Sequence, residues 1–337
     1  MVDGNPVLVE VSRGDMIESQ HRGAVAVVDA AGRAIAVWGD IDSLAYARSA
    51  IKPLQALPLI ESGAADRFGL GDVEIALACA SHIGEPEHVE AVAQWLARIG
   101  LGPQDLECGA HLPLNERAAT ELLRAGGTPS ALHNNCSGKH AGFLCTAVHL
   151  GEPTRDYSRA DHLVQQRVRR VLEDMSGASL TEAPAGIDGC GIPVIGMSLR
   201  GTATAMARLA CPAKFPPQRA AAAERVLRAM RTAPDMVAGN GRFCTELMRL
   251  IGASAVVKTG AEGVFTAVLT KQGLGVALKI DDGAPRAAEV AIGALMVHLG
   301  VLDDRTRAAL VDHLQPHIRN CPGIIVGCLR PAEGWLA

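Results

Sequence analysis

A serine and a lysine three positions apart are the first residues whose types and spacing could carry chemistry. They lie in the segment Arg-Ser-Ala-Ile-Lys-Pro, as Ser49 and Lys52. Pro53 is tolerated only in the first turn of a helix, so Ser49 is predicted at or beside a helix start. Positions i and i+3 share a helix face, so a neutral Lys52 amine could remove the Ser49 hydroxyl proton and create a nucleophile. The alternative is that Ser49 is an ordinary N-cap and Lys52 a solvated first-turn residue.

Two further segments place potential catalytic groups in loops. Ser81 and His82 follow an apolar run and precede a helix that is predicted to begin near Pro86. Lys258 opens a Lys-Thr-Gly sequence between two predicted strands, where it could act as a cation at the edge of an active site. The alternatives are a capping serine in a helix-entry loop and an exposed lysine in a hairpin turn.

Thiols, an amine and an imidazole are crowded in a third region. Cys136 stands in the sequence Asn-Asn-Cys-Ser-Gly-Lys-His, and Cys190 stands in Asp-Gly-Cys-Gly-Ile-Pro. The two thiolates could form part of a zinc site, with His140 or Asp188 as the conventional next ligand. Lys139 would be an unusual ligand, because it must lose a proton to donate a lone pair. The alternative is that both cysteines are small buried apolar residues.

The scarcity of lysine adds weight to these segments. Of 32 basic residues, six are lysines and the other 26 are arginines. An amine can lose its proton, whereas a guanidinium cannot, so a chain that otherwise uses arginine could retain lysine where a neutral amine is needed. Clustered cations and burial would lower the ordinary lysine pKa of about 10.4 in such places.

Apolar periodicity indicates which elements must position these residues. Short β-type runs lie near both ends of the chain, at 6–11, 24–29, 33–38, 253–258, 263–270 and 275–280. Helical periodicity dominates the middle and returns near the end, at 50–61, 86–99, 116–125, 139–150, 160–173, 218–231, 285–298 and 305–313. The pattern predicts an α+β protein with an antiparallel sheet flanked by helices, formed by about 1–48 and 253–337, and a helical lobe formed by about 49–252.

Composition excludes several classes of protein. The 337 residues are 48% hydrophobic and 3% aromatic and carry a net charge of −4, so neither disorder nor a nucleic-acid partner is expected. No apolar stretch approaches the ~18 residues of a membrane span, and the first residues resemble no signal peptide. Nine scattered cysteines favour free thiols or metal ligands over a disulfide framework, which fits a cytoplasmic protein.

Taken in order, the motifs resemble those of the rhizobial-type L-asparaginases, also called asparaginase II or class 3. The resemblance runs from about residue 6 to 329. It rests on the segments 47–55, 79–82, 134–142, 188–193, 236–239, 242–245 and 258–263. It implies a fold similar to serine β-lactamases and penicillin-binding proteins, hydrolysis of L-asparagine to L-aspartate and ammonia, and a homodimer.

The resemblance also implies roles for particular residues. Ser49 with Lys52, and Ser81 with Lys258, match two catalytic serine–lysine pairs. The family's zinc ligands, completed by water, match three residues here, Cys136, Lys139 and Cys190. Three neighbouring residues are expected to bind substrate, namely Arg48, His140 and Asp188.

One departure and two alternatives accompany this interpretation. Ser81-His82-Ile83 stands where a β-lactamase relative would have Ser-Asp-Asn, which argues against lactam or peptidoglycan substrates. The alternatives are a penicillin-recognising serine hydrolase and a non-catalytic zinc protein that binds an amino acid or senses redox state. The sequence leaves open the preference for asparagine over glutamine, because one methylene is worth about 1–3 kcal/mol. It also leaves open which serine is acylated, what zinc contributes, and the dimer surface.

Overall fold

The strands come mainly from the two ends of the chain and the helices mainly from its middle. The computed structural model of the protein describes residues 4–336. Its strands are β1 (Val7–Arg13), β2 (Met16–Asp29), β3 (Ala34–Trp38), β4 (Leu44–Tyr46), β5 (Ala185–Ile187), β6 (Pro193–Ser198), β7 (Val256–Thr259), β8 (Val264–Leu269), β9 (Leu274–Ile280), β10 (His317–Arg319) and β11 (Ile325–Pro331). An α+β protein with an antiparallel sheet, flanking helices and a helical lobe is thereby confirmed.

The helices are short at the start of the helical region and longer within it. They are α1 (Lys52–Gln55), α2 (Leu57–Glu61), α3 (Ala64–Arg67), α4 (Asp72–Ala78), α5 (Pro86–Arg98), α6 (Glu116–Arg124), α7 (Ser137–Leu150), α8 (Leu163–Ser176), α9 (Leu199–Ala210), α10 (Pro217–Thr232), α11 (Pro234–Ala238), α12 (Phe243–Ile251), α13 (Pro285–His298), α14 (Asp304–Ala309) and α15 (Val311–Leu314). No helix in residues 4–336 combines the length and apolar character needed to cross a bilayer.

The chain divides into two units. The first unit contains residues 4–50, 197–210 and 246–336, and the second contains 51–196 and 211–245. Helix α9, which comes from the middle of the chain, therefore belongs to the first unit.

The first unit is built on one antiparallel sheet. Its strand order is β10-β11-β1-β2-β9-β8-β7, and β3 pairs with the second half of β2. Helix α9 packs against this sheet through small side chains, which allow a close approach. At Gly275 in β9 the approach excludes any side chain, since a Cβ there would lie 2.0 Å from the Ala203 carbonyl oxygen.

Helix α7 is buried over most of its length. Its residues from Ser137 to Ala147 are all buried, so it lacks the polar face of a surface helix and contacts neighbours on several sides. Gly138 allows it to approach α4, because a Cβ at that position would lie 2.4 Å from the Leu77 carbonyl oxygen. The start of α7 and the loop after α4 are thereby held together, and four of the predicted site residues lie there: Ser81, Cys136, Lys139 and His140.

Candidate active site

The first unit contains Ser49 in a strained turn. Ser49 is half-buried in a 3₁₀ turn, Arg48–Ile51, which leads directly into α1. Arg48 has a φ of +50°, in the left-handed region that a residue with a side chain seldom adopts. Such a conformation costs on the order of 1–3 kcal/mol and persists where the surrounding structure imposes it. Ser49 lies beside a helix start, as predicted, because this turn is followed directly by α1.

Lys258 lies in the same unit as Ser49. It is buried in β7, and its Nζ donates a hydrogen bond to the Thr259 carbonyl at 2.8 Å. The adjoining backbone approaches the Ser49 turn closely, because a Cβ on Gly260 would lie 2.9 Å from the Ala47 carbonyl oxygen. Thr266 in β8 donates to the Ala50 carbonyl at 2.9 Å. The first unit thus packs the end of β7 against the turn that carries Ser49.

The second unit contains Lys52 with Ser81. Lys52 has no exposed surface, and its Nζ lies 3.0 Å from Ser81 Oγ and 3.1 Å from Cys136 Sγ. It also donates to the Ala80 carbonyl. Within the described part of the chain, Lys52 forms no ion pair with a carboxylate. The Lys52 amine therefore contacts both the Ser81 hydroxyl and the Cys136 thiol.

Lys139 and Cys190 form the adjoining half of this cluster. Lys139, 2% exposed, donates from Nζ to Cys190 Sγ at 2.9 Å. Cys190 and Cys136 are close enough to share a hydrogen bond, and each is 4% exposed. Two amines and two sulfurs, the amino-thiol cluster formed by Lys52, Cys136, Lys139 and Cys190, are thus collected in one buried place.

The cluster separates the pKa values of its two thiols. The hydrogen bond from Cys190, together with the charges of Lys52 and Lys139, holds the pKa of Cys136 well below its usual value, although burial opposes this effect. The pKa of Cys190 is raised, because it shares that hydrogen bond with a negative sulfur and is itself buried. Burial alone would lower the pKa of Lys139, but the negative Cys136 sulfur and the hydrogen-bonded Cys190 sulfur raise it overall. The lowered lysine pKa predicted from the sequence is therefore not found at Lys139.

The donor set of this cluster fits a zinc ion. The Cys190 sulfur contacts both the Lys139 amine and the Cys136 sulfur, and all three residues are buried. Sulfur and nitrogen are donors that zinc prefers, and three protein ligands leave a position for water or substrate. No group of three or more His, Cys, Asp and Glu residues suited to a metal occurs among residues 4–336, so a site here requires the lysine.

The three predicted substrate-binding residues lie in different surroundings. His140 is fully buried, with Nδ1 2.8 Å from the Tyr157 hydroxyl, while its Nε2 has no hydrogen-bond partner. Asp188 is half-buried, and its Oδ2 lies 3.7 Å from Cys190 Sγ. Arg48 lies in the first unit, beside Ser49. His140 and Asp188 are therefore near the amino-thiol cluster, and Arg48 belongs to the Ser49 turn.

Sequence reasoning missed two residues that support the site. Tyr157 is fully buried, accepts a hydrogen bond from the Glu107 amide at 2.8 Å and contacts His140. Asn134 fixes the Cys136 loop, because its Oδ1 accepts from the Cys136 amide at 2.8 Å and its Nδ2 donates to the Cys108 carbonyl. The scarcity of tyrosine, with two in the chain, was a usable signal for Tyr157.

The chain is similar to several solved structures. A putative β-lactamase from Bacteroides dorei is 15% identical, with 77% of this chain and 87% of that one covered and a TM-score of 0.40. A β-lactamase from Mycobacterium bovis is also 15% identical, with coverages of 83% and 95% and a TM-score of 0.40. A D-alanine carboxypeptidase from Burkholderia cenocepacia is 11% identical, with coverages of 81% and 93% and a TM-score of 0.38.

The family comparison covers nearly the whole chain. None of the curated proteins compared with the chain matches it. The family model described as L-asparaginase II matches residues 9–331, a range that includes every predicted site residue. The chain therefore belongs to the L-asparaginase II family.

Proposed function

We propose that this protein hydrolyses L-asparagine to L-aspartate and ammonia through a serine ester. The observation that carries the proposal is the placement of Lys52, a buried amine within hydrogen-bond distance of the Ser81 hydroxyl and the Cys136 thiol. An amine without a carboxylate partner is suited to exchange protons with a hydroxyl. Membership of the L-asparaginase II family supports a side-chain amide as the bond that is cleaved.

Ser49 is the proposed nucleophile. Lys52 follows it by three positions and takes its proton, and Ser49 Oγ then attacks the side-chain amide carbon of asparagine. The resulting oxyanion is stabilised by backbone N–H groups, including that of Ser49. The strained backbone at Arg48 supports this role, because strain of this kind is concentrated at functional sites.

Ser81 and Lys258 are the proposed second pair. Ser81 delivers a proton to the leaving nitrogen, so the amide departs as ammonia rather than as an unstable anion. Lys258 supplies positive charge for that transfer. Water then hydrolyses the β-aspartyl ester and regenerates the Ser49 hydroxyl. Lys52, which is in contact with Ser81, links the proton transfers of the two serines.

The α-amino and α-carboxylate groups of the substrate require charged partners. Arg48 is the proposed partner of the carboxylate, because a guanidinium binds a carboxylate with two hydrogen bonds. Asp188 is the proposed partner of the amino group. His140, whose Nε2 is buried without a partner, is proposed to complete the substrate contacts.

Zinc is the proposed cofactor, held by Cys136, Lys139 and Cys190. When bound, it would orient the substrate and polarise a ligand in its open position. The low pKa of Cys136 favours the thiolate that a metal requires, and binding would release protons from Cys190 and Lys139, whose pKa values the cluster raises. The proposed assembly is a homodimer, which light scattering on the purified protein would test.

Ammonia release from L-asparagine, measured with and without prior chelation and with L-glutamine as competitor, tests the proposal. Steady release from asparagine is expected. Hydrolysis of a chromogenic lactam without ammonia release would instead favour the penicillin-recognising alternative. Stabilisation by asparagine without any turnover would favour a binding protein.

Substitution of each serine separates nucleophile from proton donor. Ser49→Ala is expected to abolish turnover while leaving zinc content intact, and Ser81→Ala to slow it while still allowing acylation. Mass spectrometry of acid-quenched enzyme should find the β-aspartyl adduct on the peptide that contains Ser49. An adduct on the peptide that contains Ser81 would exchange the two roles.

A further inference from the structure

His82, the residue after Ser81, forms hydrogen bonds on both sides of Cys136. Its backbone amide donates to the Asn135 carbonyl at 3.2 Å, and its ring Nε2 lies 2.8 Å from Ser137 Oγ. Asn135 and Ser137 are the immediate neighbours of Cys136. The loop that carries Ser81 and the loop that carries Cys136 are therefore joined at two points by one residue.

The hydrogen bonds of the ring fix its tautomer. His82 Nδ1 accepts from the Gly84 amide at 3.1 Å, so the ring proton resides on Nε2 and is donated to Ser137 Oγ. Ser137 Oγ in turn donates to the Leu132 carbonyl at 3.0 Å. The ring is fully buried, and burial, together with the positive charge of Lys52, holds its pKa well below the usual value. Both ring nitrogens are thus committed to structural partners, which excludes a role as a proton carrier.

The two joined loops carry the groups that Lys52 must reach at once. Lys52 Nζ contacts the Ala80 carbonyl, Ser81 Oγ and Cys136 Sγ. These contacts require that the Ser81 and Cys136 loops keep a fixed separation. A bond from the Ser81 amide to the Val237 carbonyl at 2.9 Å also holds this loop but does not connect it to Cys136.

We propose that His82 is a positioning residue that fixes Ser81 relative to Cys136, so that one lysine amine serves both. This inference rests on the proposed function in assigning Ser81 to proton transfer, and it deepens that function by connecting the serine to the amino-thiol cluster. A neutral histidine with a fixed tautomer suits the task, since an aspartate here would bring an unpaired charge into a buried site.

His88 provides a matched control. Its ring stacks on that of His82 at 4.9 Å and is equally buried. Its Nδ1 also accepts from a backbone amide, that of Glu85, and its Nε2 donates to a carbonyl, that of Asp235. The two histidines therefore share size, burial and tautomer. His88 differs in that its Nε2 bonds to Asp235 rather than to Ser137 and its Nδ1 lies 3.8 Å from a Glu85 carboxylate oxygen.

The experiment compares His82→Asn, His82→Gln and His88→Asn. Asparagine can still accept from the Gly84 amide but cannot reach Ser137, whereas glutamine can donate to Ser137. We expect His82→Asn to lower kcat about 10- to 100-fold with KM changed by less than about threefold, because misplacement of a catalytic group slows chemistry more than binding. His82→Gln should have a kcat within about threefold of the parent. His88→Asn should retain the parent kcat, although its Tm falls as far as that of His82→Asn.

Equal losses of kcat in His82→Asn and His88→Asn, or no rescue by glutamine, would overturn the proposal. If His82→Asn does not fold, Ser137→Ala removes the same bond from its other end and is expected to lower kcat about tenfold or more. An unchanged kcat in that variant would likewise overturn it.

Hydrogen exchange separates this proposal from the proposed function. In His82→Asn, but not in His82→Gln, amides in peptides covering 79–84 and 134–139 should exchange faster. That result with no ammonia release in the parent would disprove the asparaginase function and leave the connection between the loops standing. Unchanged exchange in an active parent would disprove the connection alone.

Discussion

Each of the two units contains one candidate catalytic serine and one candidate catalytic lysine, but the surroundings that fix the lysine differ. In the second unit Lys52 is fixed by side chains, through Ser81 Oγ and Cys136 Sγ. In the first unit Lys258 extends from a sheet strand, and its amine bonds to the backbone carbonyl of Thr259. Ser49 lies in a turn against which the same strand packs.

The difference shows two ways of placing a reactive group. In the first unit the sheet fixes the backbone of β7, and the register of that strand determines where the Lys258 side chain lies. The helical unit instead relies on a network of buried polar side chains, in which each group depends on the others. Substitution of one of these side chains should therefore disturb the other groups of the network in the second unit. In the first unit the effect of a substitution should remain local.

The largest effect should come from replacing Lys52 and Lys258, each in its own variant. Lys52→Met is expected to lower kcat/KM by about 10³-fold or more and also to reduce zinc content, because the amine contacts both Ser81 and Cys136. Lys258→Met should lower kcat/KM while zinc content, measured by plasma mass spectrometry, stays at the parent level. Equal zinc loss in both variants would remove the distinction between the units.

A smaller effect is expected when one proposed zinc ligand is replaced. Cys136→Ser should weaken zinc binding at least about 100-fold and raise KM, because a thiolate is exchanged for a weaker donor. Cys145→Ser is the control, since that thiol lies in α7, the helix that begins directly after Cys136, is buried and has a pKa raised by burial to about 11. Equilibrium dialysis against zinc measures both, and retention of zinc by Cys136→Ser would place the site elsewhere.

Substitution of glycines where helices approach closely should destabilise both units. Gly138→Ala and Gly275→Ala are each expected to lower the free energy of unfolding by about 2–3 kcal/mol, because the new Cβ would overlap backbone atoms of a neighbouring element. Gly142→Ala, one turn further along α7, meets atoms no closer than 3.5 Å and should stabilise the helix by up to about 1 kcal/mol. Urea unfolding compares the three. Equal stability of Gly138→Ala and Gly142→Ala would contradict the close approach of α7 to α4.

The smallest effect concerns the pH dependence of stability. The folded pKa of His82 lies well below the unfolded value of about 6.5, chiefly because of burial. Above pH 6.5 the residue is neutral in both states. As pH falls through 6.5, the unfolded state binds a proton that the native state does not, so stability decreases with a slope that approaches about 1.4 kcal/mol per pH unit above the folded pKa. Because the unfolded residue is half-protonated at pH 6.5, His82→Gln should remove about 1 kcal/mol of the loss between pH 6.5 and 5.5, and an unchanged slope would mean that the buried ring is charged.

Local sequence patterns predicted helices well where strong start or stop signals mark the ends of the helix. The expected helix at 139–150 is observed as α7, which begins two residues earlier, at Ser137. The expected continuous helix at 50–61 is instead divided into α1 and α2, since Pro53 and Pro58 each lack an amide donor. The helix expected from 160 begins at Leu163, where the His162 ring caps the Val164 amide.

Several elements gave no usable signal. Helix α9 and strand β6 come from one apolar stretch whose periodicity does not indicate where a strand ends and a helix begins. The short strands β10 and β11 are half-exposed, so they lack the apolar alternation of a buried strand. Their pairing with the rest of the sheet depends on β1, which lies at the opposite end of the chain.

The sequence by itself determined the inventory of reactive groups and their local settings. Ser49 stands beside a helix start because proline follows shortly after, and the family follows from ordered motifs over the whole chain. Only the tertiary structure decided which groups meet. Lys52 contacts Ser81 across 29 positions and Cys136 across 84, and Lys139 contacts Cys190 across 51. No periodicity encodes such separations, because they depend on how elements distant in sequence pack together. One such approach, of α7 to α4, is possible because Gly138 has no side chain.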